Sequence, residues 1–462
     1  MKNPKIMAMN NAKDDLIVAR ATSPGAAALA VIRLDGAGVA ALVNRLFETS
    51  GGASPADRPR RMILGRWLNP ASGEMIDEGL SVYYAAPHSY TGNDAAEFHC
   101  HGGSVPSRQL IEAALSLGAR LAQPGEFTRR AFLNGKLDLA QAEAVADLIN
   151  AQTEAAARVA RGQVAGALSA AVGAVREGLI ALGAEIEARI DFPEETLEAA
   201  DHLRLEGLFA DGAGAIERLL ATRRRGRLLR EGARVALVGA PNAGKSSLLN
   251  ALAHLERAIV TPHPGTTRDT IECTIDLGGV PLTLVDTAGL RASRDPIEKI
   301  GIERAQREIE RADLVLLVHD VTAGGWPAAL PWAGRAADLV VLNKIDLPHP
   351  RPAGGASPPA LEVSCTRGDG LARLEREILR LLWAGGAGEG DTELAVNLRH
   401  GELLERAATS LAAARESFAR DVSGELVMID LYEALDALGE ILGVETGDVI
   451  LDRLFSHFCI GK

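Results

Sequence analysis

The chain has 462 residues, 47% of them apolar and 24% charged, with a formal charge of −12 and only 4% aromatic side chains. The length suggests roughly three domains, the apolar content excludes a disordered chain, and the acidic balance argues against non-specific nucleic-acid binding over the whole surface, though not against a local basic patch. No run of about 18 residues is apolar without a charge, so no membrane span is expected. The opening MKNPKIMAMNNAKDD lacks the apolar centre of a secretory signal. The scattered Cys100, Cys273, Cys365 and Cys459 form no CxxC pair, so a reducing cytoplasm is the default.

Residues 1–121 mix short β-rich runs, ALAVIRL at 28–34 and GLSVYY at 79–84, with a helix-like stretch at 105–117, and read as a small α+β domain. From 122 to 230 alanine dominates and apolar residues recur every three or four: Leu137, Leu139, Ala142, Val145 and Leu148 form one helical stripe, and Leu179, Leu182, Ile186 and Ile190 another. DFPEE at 191–195 breaks the pattern, with Pro193 suited to the first position of a new helix. Residues 231–383 alternate strand and helix, with buried-strand runs at 235–238, 282–285, 314–318 and 339–342. Helical periodicity returns over 384–462 through Leu403, Leu404, Ala407, Leu411, Leu431, Leu435, Leu438 and Leu442. The simplest architecture is an N-terminal α+β domain, then an all-helical domain interrupted by an inserted α/β domain.

The strongest motif is GAPNAGKS at 239–246, between a strand and a helix expected over 247–252. Such a loop turns consecutive backbone N–H groups of Asn242, Ala243 and Gly244 toward phosphates, and the following helix, from Ser247, adds its positive end. Lys245 supplies a point charge to the outer phosphates and the Ser246 hydroxyl a Mg²⁺ ligand. Asp286-Thr287-Ala288-Gly289 ends the next strand; Asp286 can hold a Mg²⁺-bound water and the Gly289 amide can sense a γ-phosphate. Asn343-Lys344-Ile345-Asp346 decides the base, because a carboxylate at Asp346 accepts from guanine N1–H and its amino group, a donor pair that adenine lacks. Ser364-Cys365-Thr366 follows a strand at 361–363 and departs from Ser-Ala-Lys/Arg, so its contacts to the base are expected to be mostly backbone. In order and spacing these segments predict a GTP site.

Thr261-Pro262-His263-Pro264-Gly265-Thr266-Thr267 lies between the first two segments and has the character of a switch, with Thr267 the candidate for Mg²⁺ contact. Leu290 occupies the position that often carries a water-orienting glutamine. Hydrolysis therefore needs another positive charge and another polar group, for which Arg291, Asp295 and Glu298 are candidates.

End to end, the chain resembles the tRNA-modification GTPase family MnmE, also called TrmE. The resemblance is carried by VIRLDG at 31–36, SYTGND at 89–94, EFHCHGG at 97–103, PGEFTRRAFLNGKLDLAQAEAVADLI at 124–149, DTAGLR…IEKIGIERA over 286–305 and the terminal FCIGK. It implies a K⁺-stimulated, Ras-like P-loop GTPase. It also implies a homodimer formed through an N-terminal domain that binds folate, with GTP hydrolysis driving G-domain closure between two subunits. Such proteins work with the FAD-containing flavoprotein MnmG on the wobble uridine of certain tRNAs, adding an aminomethyl or carboxymethylaminomethyl group at C5. A tetrahydrofolate derivative, 5-formyl- or 5,10-methylene-tetrahydrofolate, supplies one carbon.

Carried over residue by residue, the resemblance puts folate contacts on Arg33, Glu97, Lys136 and Lys462. It puts K⁺ on Asn242, Thr261, His263 and Thr266, Mg²⁺ on Ser246 and Thr267, and the catalytic glutamate on Glu298. Cys459 matches the functionally important cysteine. Two departures are Ala26, where many members have arginine, and His263, which replaces an aliphatic residue. His99, Cys100 and His101 suggest a metal, but His99 and His101 share a strand face with no third zinc ligand nearby in sequence. The basic run Arg223-Arg224-Arg225-Gly226-Arg227…Arg230 suits tRNA phosphates, the G-domain surface or a solvated helix face. An Era-like, GTP-switched ribosome-assembly factor would fit the central segment equally well; the folate residues and FCIGK are what such a switch does not need.

Overall fold

Period-two alternation in a few strands builds the N-terminal part of the chain. The computed structural model describes residues 15–49, 51–191, 199–255, 271–286, 306–324, 335–349, 359–383, 394–444 and 448–461. The chain divides into one unit of Met1–Ala146 with Gly439–Lys462 and a second of Asp147–Leu438.

In the first unit, β1 (Ile17–Arg20), β2 (Leu29–Asp35), β3 (Phe47–Glu48), β4 (Ile63–Leu68), β5 (Met75–Tyr84), β6 (Ala95–His101) and β7 (Arg120–Leu121) form a seven-stranded sheet in the order β3-β4-β5-β6-β2-β1-β7. All pairs are antiparallel except β1 with β7. Helices α1 (Val39–Leu46) and α2 (Ser104–Ser116) supply Val39, Leu42, Val43, Leu46, Leu110 and Ala114 to a core shared with Ile32, Leu34, Phe98 and the Phe47–Trp67 ring pair, 5.3 Å apart. Because strand side chains alternate, burying Ile32, Leu34 and Phe98 turns Arg33 and Glu97 to the opposite face. The β2–β6 register then sets those two residues directly opposite each other.

In the second unit, α5 (Glu154–Val164), α6 (Ala167–Asp191) and α7 (Ala199–Ala221) are followed by the short basic helix α8 (Arg223–Glu231). α7 packs against α11 (Leu398–Ala419), which follows α10 (Leu371–Trp383) in the chain, with Phe209 and Phe418 rings 5.6 Å apart and Arg415 paired with Glu206 at 2.9 Å. Helices before and after the α/β segment thus share one core. By length and composition α6 could cross a membrane, with a mean hydropathy of 1.4. It nevertheless buries Leu168, Val172, Val175, Leu179, Leu182 and Ile186 within the protein. Pro193 lies outside the described residues, and Leu137 precedes the helix α4 (Leu139–Asn150) on whose stripe it was expected.

The α/β segment is a six-stranded sheet in the order β13-β12-β11-β8-β10-β9, from β8 (Ala233–Val238), β9 (Ile271–Leu277), β10 (Val280–Asp286), β11 (Leu314–Asp320), β12 (Leu339–Asn343) and β13 (Ala360–Val363). All neighbours are parallel except the β9–β10 hairpin. The runs β8, β11 and β12 are buried almost throughout, as a sheet covered on both faces requires. β9 was not anticipated, although Ile271, Cys273, Ile275 and Leu277 alternate before Gly278-Gly279, a readable hairpin signal.

Candidate functional site

The four nucleotide segments converge at the C-terminal ends of β8, β10, β12 and β13, where an open parallel sheet places its ligand crevice. Between β8 and α9 (Lys245–Leu255), the loop requires two glycines. A Cβ at Gly239 would lie 2.1 Å from Val318 O, and one at Gly244 would lie 2.2 Å from Asn343 Nδ2. Both glycines have positive φ, as does the exposed Asn242 at 63°. Ala243 is buried, while Ser246 and Ser247 are exposed.

Lys245 is buried; its Nζ donates to Gly239 O and Ala240 O, both at 3.0 Å. Burial lowers its pKa, partly offset by the charge of Asp286. The Ser246 hydroxyl donates to Asp286 Oδ2 at 2.7 Å, and Asp286 is itself buried with Oδ1 unpartnered among the described residues. An unmatched carboxylate oxygen beside a serine hydroxyl is the donor set that suits Mg²⁺ and its bound water.

Asn343 is buried, donating to Ala243 O at 3.0 Å and accepting from Cys365 N at 3.4 Å, so it braces the phosphate loop against the base loop. The Ser364 hydroxyl donates to Asp346 Oδ1 at 2.7 Å. That bond, helped by the charges of Arg367 and Lys344, holds the Asp346 carboxyl below its usual range. The carboxylate is therefore ionised and oriented before any base arrives. Cys365 is half-buried, its thiol pushed up to about 11 by burial, and Thr366 is exposed.

Asp320, at the end of β11, was missed by sequence reasoning. It receives Lys344 Nζ at 2.6 Å, while the same ammonium donates to Asn242 O at 2.9 Å. Burial would raise the Asp320 carboxyl, but hydrogen bonds from Lys344 and Thr322 hold it low. An Asp closing a strand gives no distinctive signal by itself.

Thr261, Pro262, His263, Pro264, Gly265, Thr266, Thr267, Thr287, Ala288, Gly289, Leu290, Arg291, Asp295, Glu298 and Lys462 lie outside the described residues.

In the N-terminal unit, Arg33 donates to Glu97 Oε1 from Nη2 at 2.9 Å and Nε at 3.1 Å, and to Gly461 O from Nη1 at 3.3 Å. The pair sits in a cavity of about 280 Å³ lined also by Arg60, Tyr84, His88, Tyr90 and Phe127. The Tyr90 and Phe127 rings lie 5.9 and 5.7 Å from the Arg33 guanidinium. Lys136 is not among the lining residues; its Nζ donates to Pro87 O at 3.1 Å, beside the lining His88.

Behind the cavity, buried Arg130, on α3 (Glu126–Leu133), pairs with Asp35 and Glu126, both at 3.0 Å, and with Asp15 at 2.6 Å. This cluster ties the PGEFTRRAF segment to VIRLDG, and sequence reasoning did not find it. Cys459 is exposed, next to buried Phe458, and its carbonyl accepts from Gly125 N at 3.4 Å.

Cys100 donates to Ala30 O at 3.5 Å from inside the core, away from His99 and His101, and the described residues contain no cluster suited to a metal. The basic helix α8 spends much of its charge internally: Arg223 on Glu405, Arg227 on Asp313 at 2.7 Å and Arg230 on Asp147 at 2.7 Å.

A glycine-requiring loop between a strand and a helix, a buried Lys245, a Ser246–Asp286 pair and an ionised Asp346 at the ends of parallel strands are the arrangement of a P-loop GTPase. Comparison with known proteins then narrows the class. A family model described as the MnmE helical domain matches residues 139–459, and one described as the GTP-binding protein TrmE N-terminus matches 16–136. A curated relative from Symbiobacterium thermophilum, "tRNA modification GTPase MnmE", is 44% identical over 97% of this chain and 100% of its own length. One of the same name from Chloroflexus aurantiacus is 46% identical over the same shares. The chain belongs to the MnmE family of tRNA modification GTPases.

Proposed function

We propose that this chain is the K⁺-stimulated GTPase partner of the flavoprotein MnmG in a cytoplasmic reaction. That reaction installs an aminomethyl or carboxymethylaminomethyl group at C5 of the wobble uridine of certain tRNAs. The observation that carries the reading is the convergence of Lys245, the Ser246–Asp286 pair and the Ser364-oriented Asp346, in a chain that matches full-length tRNA modification GTPases. In this reading a Ras-like G domain is inserted in the helical domain, and the N-terminal domain binds folate and forms the homodimer.

Ser246 and Thr267 would hold Mg²⁺, and Asn242, Thr261, His263 and Thr266 would hold K⁺. The residues fit a reduced folate as well. Glu97 offers a carboxylate to the paired N–H donors on the amino-pyrimidine face of a pterin, Arg33 holds that carboxylate in place, and Tyr84, Tyr90 and Phe127 offer flat apolar walls. Lys136 and Lys462 complete the folate set carried over from the family. Bound metal ions would neutralise charge on the transferring phosphoryl group, and a bound tetrahydrofolate would supply one carbon.

The chain's own residues do the rest. The loop 239–245 cradles the phosphates, Asp346 selects guanine, and Glu298 orients the attacking water, in the absence of a glutamine at Leu290. G-domain closure in the dimer then couples hydrolysis to the modification.

The test is nucleoside analysis of unmodified tRNA incubated with this protein, MnmG, GTP, K⁺, a tetrahydrofolate donor and ammonium or glycine. The reading predicts a C5-modified wobble uridine that requires every component. Unchanged uridine in the full mixture contradicts it, and GTP-dependent binding to ribosomal particles instead would favour the assembly-factor alternative.

A further inference from the structure

Arg60 is a cation at the N-terminal cavity that the site described so far does not use. It lines the same cavity as Arg33 and Glu97, and its guanidinium makes one weak contact, Nη2 to His88 O at 3.4 Å. The neighbouring carbonyl of the same loop, Pro87 O, takes the Lys136 ammonium at 3.1 Å. Two consecutive carbonyls therefore take two cationic heads, that of Arg60, which lines the cavity, and that of Lys136, bound beside the lining His88. Neither cation has a carboxylate partner among the described residues.

The backbone at Arg60 adds an independent observation. Its φ is 66°, in the left-handed region, and the position is held there by Arg60 N donating to Tyr83 O at 2.8 Å. Glycine adopts that conformation freely and arginine does not. An arginine held there is an uncommon choice, and its head group lines the cavity. Elsewhere around the cavity charge is matched: Arg33 is spent on Glu97, and Asp35 on Arg130. The unmatched charge is positive and confined to the 87–88 side. Like charges brought together are relieved by a multivalent anion, and a guanidinium receives carboxylates through paired hydrogen bonds.

We propose that Arg60 and Lys136 form an anion-binding rim for the carboxylates of a glutamate tail, so that the cavity prefers reduced folates carrying several γ-linked glutamates over the monoglutamate. This deepens the folate reading above and rests on it. Arg60 is the specificity-determining residue, because Lys136 already belongs to the folate set of that reading and Arg60 does not.

The experiment is equilibrium binding to the full chain, by isothermal titration, of three probes: 6-methyltetrahydropterin, which has no tail, 5-formyltetrahydrofolate with one glutamate, and the same folate with three. For the unaltered chain the expected order is triglutamate tightest, by about tenfold over the monoglutamate, with the advantage shrinking as salt is added. Arg60→Gly suits the left-handed backbone and preserves the fold, which circular dichroism checks. It is expected to bind the tail-free pterin as the unaltered chain does and to lose most of the triglutamate advantage. Equal binding of the two folates by the unaltered chain, or an undiminished advantage in Arg60→Gly, overturns the tail proposal while leaving the folate reading standing. No binding of any probe by the unaltered chain overturns the folate reading and this proposal together.

Discussion

The nucleotide site and the N-terminal cavity are built by opposite strategies. In the loop 239–245 the main chain supplies the geometry: Gly239 and Gly244 permit a turn that no side chain could share, and Lys245 and Asn343 bond to carbonyls of the same loop. The cavity is built from side chains of distant segments, with Arg33 against Glu97 across two strands, Phe127 from a later helix and the Gly461 carbonyl from the far end of the chain. A backbone cradle needs a contiguous motif. A side-chain cavity needs only that the fold bring its parts together.

Four perturbations sharpen this comparison, from the largest expected effect downward. Lys245→Ala removes the buried charge that the loop holds, which the proposed mechanism assigns to the outer phosphates. GTP hydrolysis is expected to fall by at least about a hundredfold, measured as single-turnover phosphate release, with the helical signal in circular dichroism unchanged.

Arg130→Met strikes the other region, leaving Asp35, Glu126 and Asp15 without their shared cation. Removing one partner of a buried ionic cluster costs about 3–5 kcal/mol, so scanning calorimetry should show a destabilised transition while guanine-nucleotide affinity is unaffected. Equal damage to both would contradict the separation drawn here.

Asp320→Asn weakens the hold on Lys344. A rise of about threefold to tenfold in KM for GTP with little change in kcat is expected, and Asp320→Glu should restore part of it. A loss confined to kcat would place Asp320 in the chemistry instead.

The smallest effect is pH-dependent. Burial alone would raise the Glu126 carboxyl, but the hydrogen bonds from Arg120 and Gln123 N and the charges of both arginines hold it below the ordinary 4.5. A carboxyl depressed in the folded state contributes stability that is fully present above its unfolded pKa and disappears as pH falls through the lower folded value. Urea midpoints of the N-terminal unit should therefore decline below about pH 4.5, and Glu126→Gln should flatten that decline.

The same contrast explains what could be read from the sequence. GAPNAGKS, Asp286 and NKID were legible because each is short, contiguous and tied to the end of an apolar strand, and the structure brings them together as expected. The strands at 235–238, 314–318 and 339–342 were legible because they are buried on both faces, each extended by a residue or two in the structure. Asp320 was not, because its partner Lys344 is distant in sequence and nothing about a strand-ending aspartate announces an ion pair. Arg130 looked like one of two adjacent arginines until its three carboxylates gathered around it. The basic run at 223–230 left three readings open, and only tertiary structure supplies Asp313, Asp147 and Glu405 as its partners. Arg33 and Glu97 entered through resemblance alone, whereas the β2–β6 register supplies a physical reason for the pairing.

The central claim is that an oriented carboxylate at Asp346 makes this a guanine-specific site. Its most direct test compares GTP and xanthosine triphosphate binding to the unaltered chain and to Asp346→Asn, whose amide can donate to the carbonyl that replaces guanine's amino group. The account predicts that GTP affinity falls by about a hundredfold or more while affinity for xanthosine triphosphate rises. Undiminished GTP binding by Asp346→Asn would contradict it.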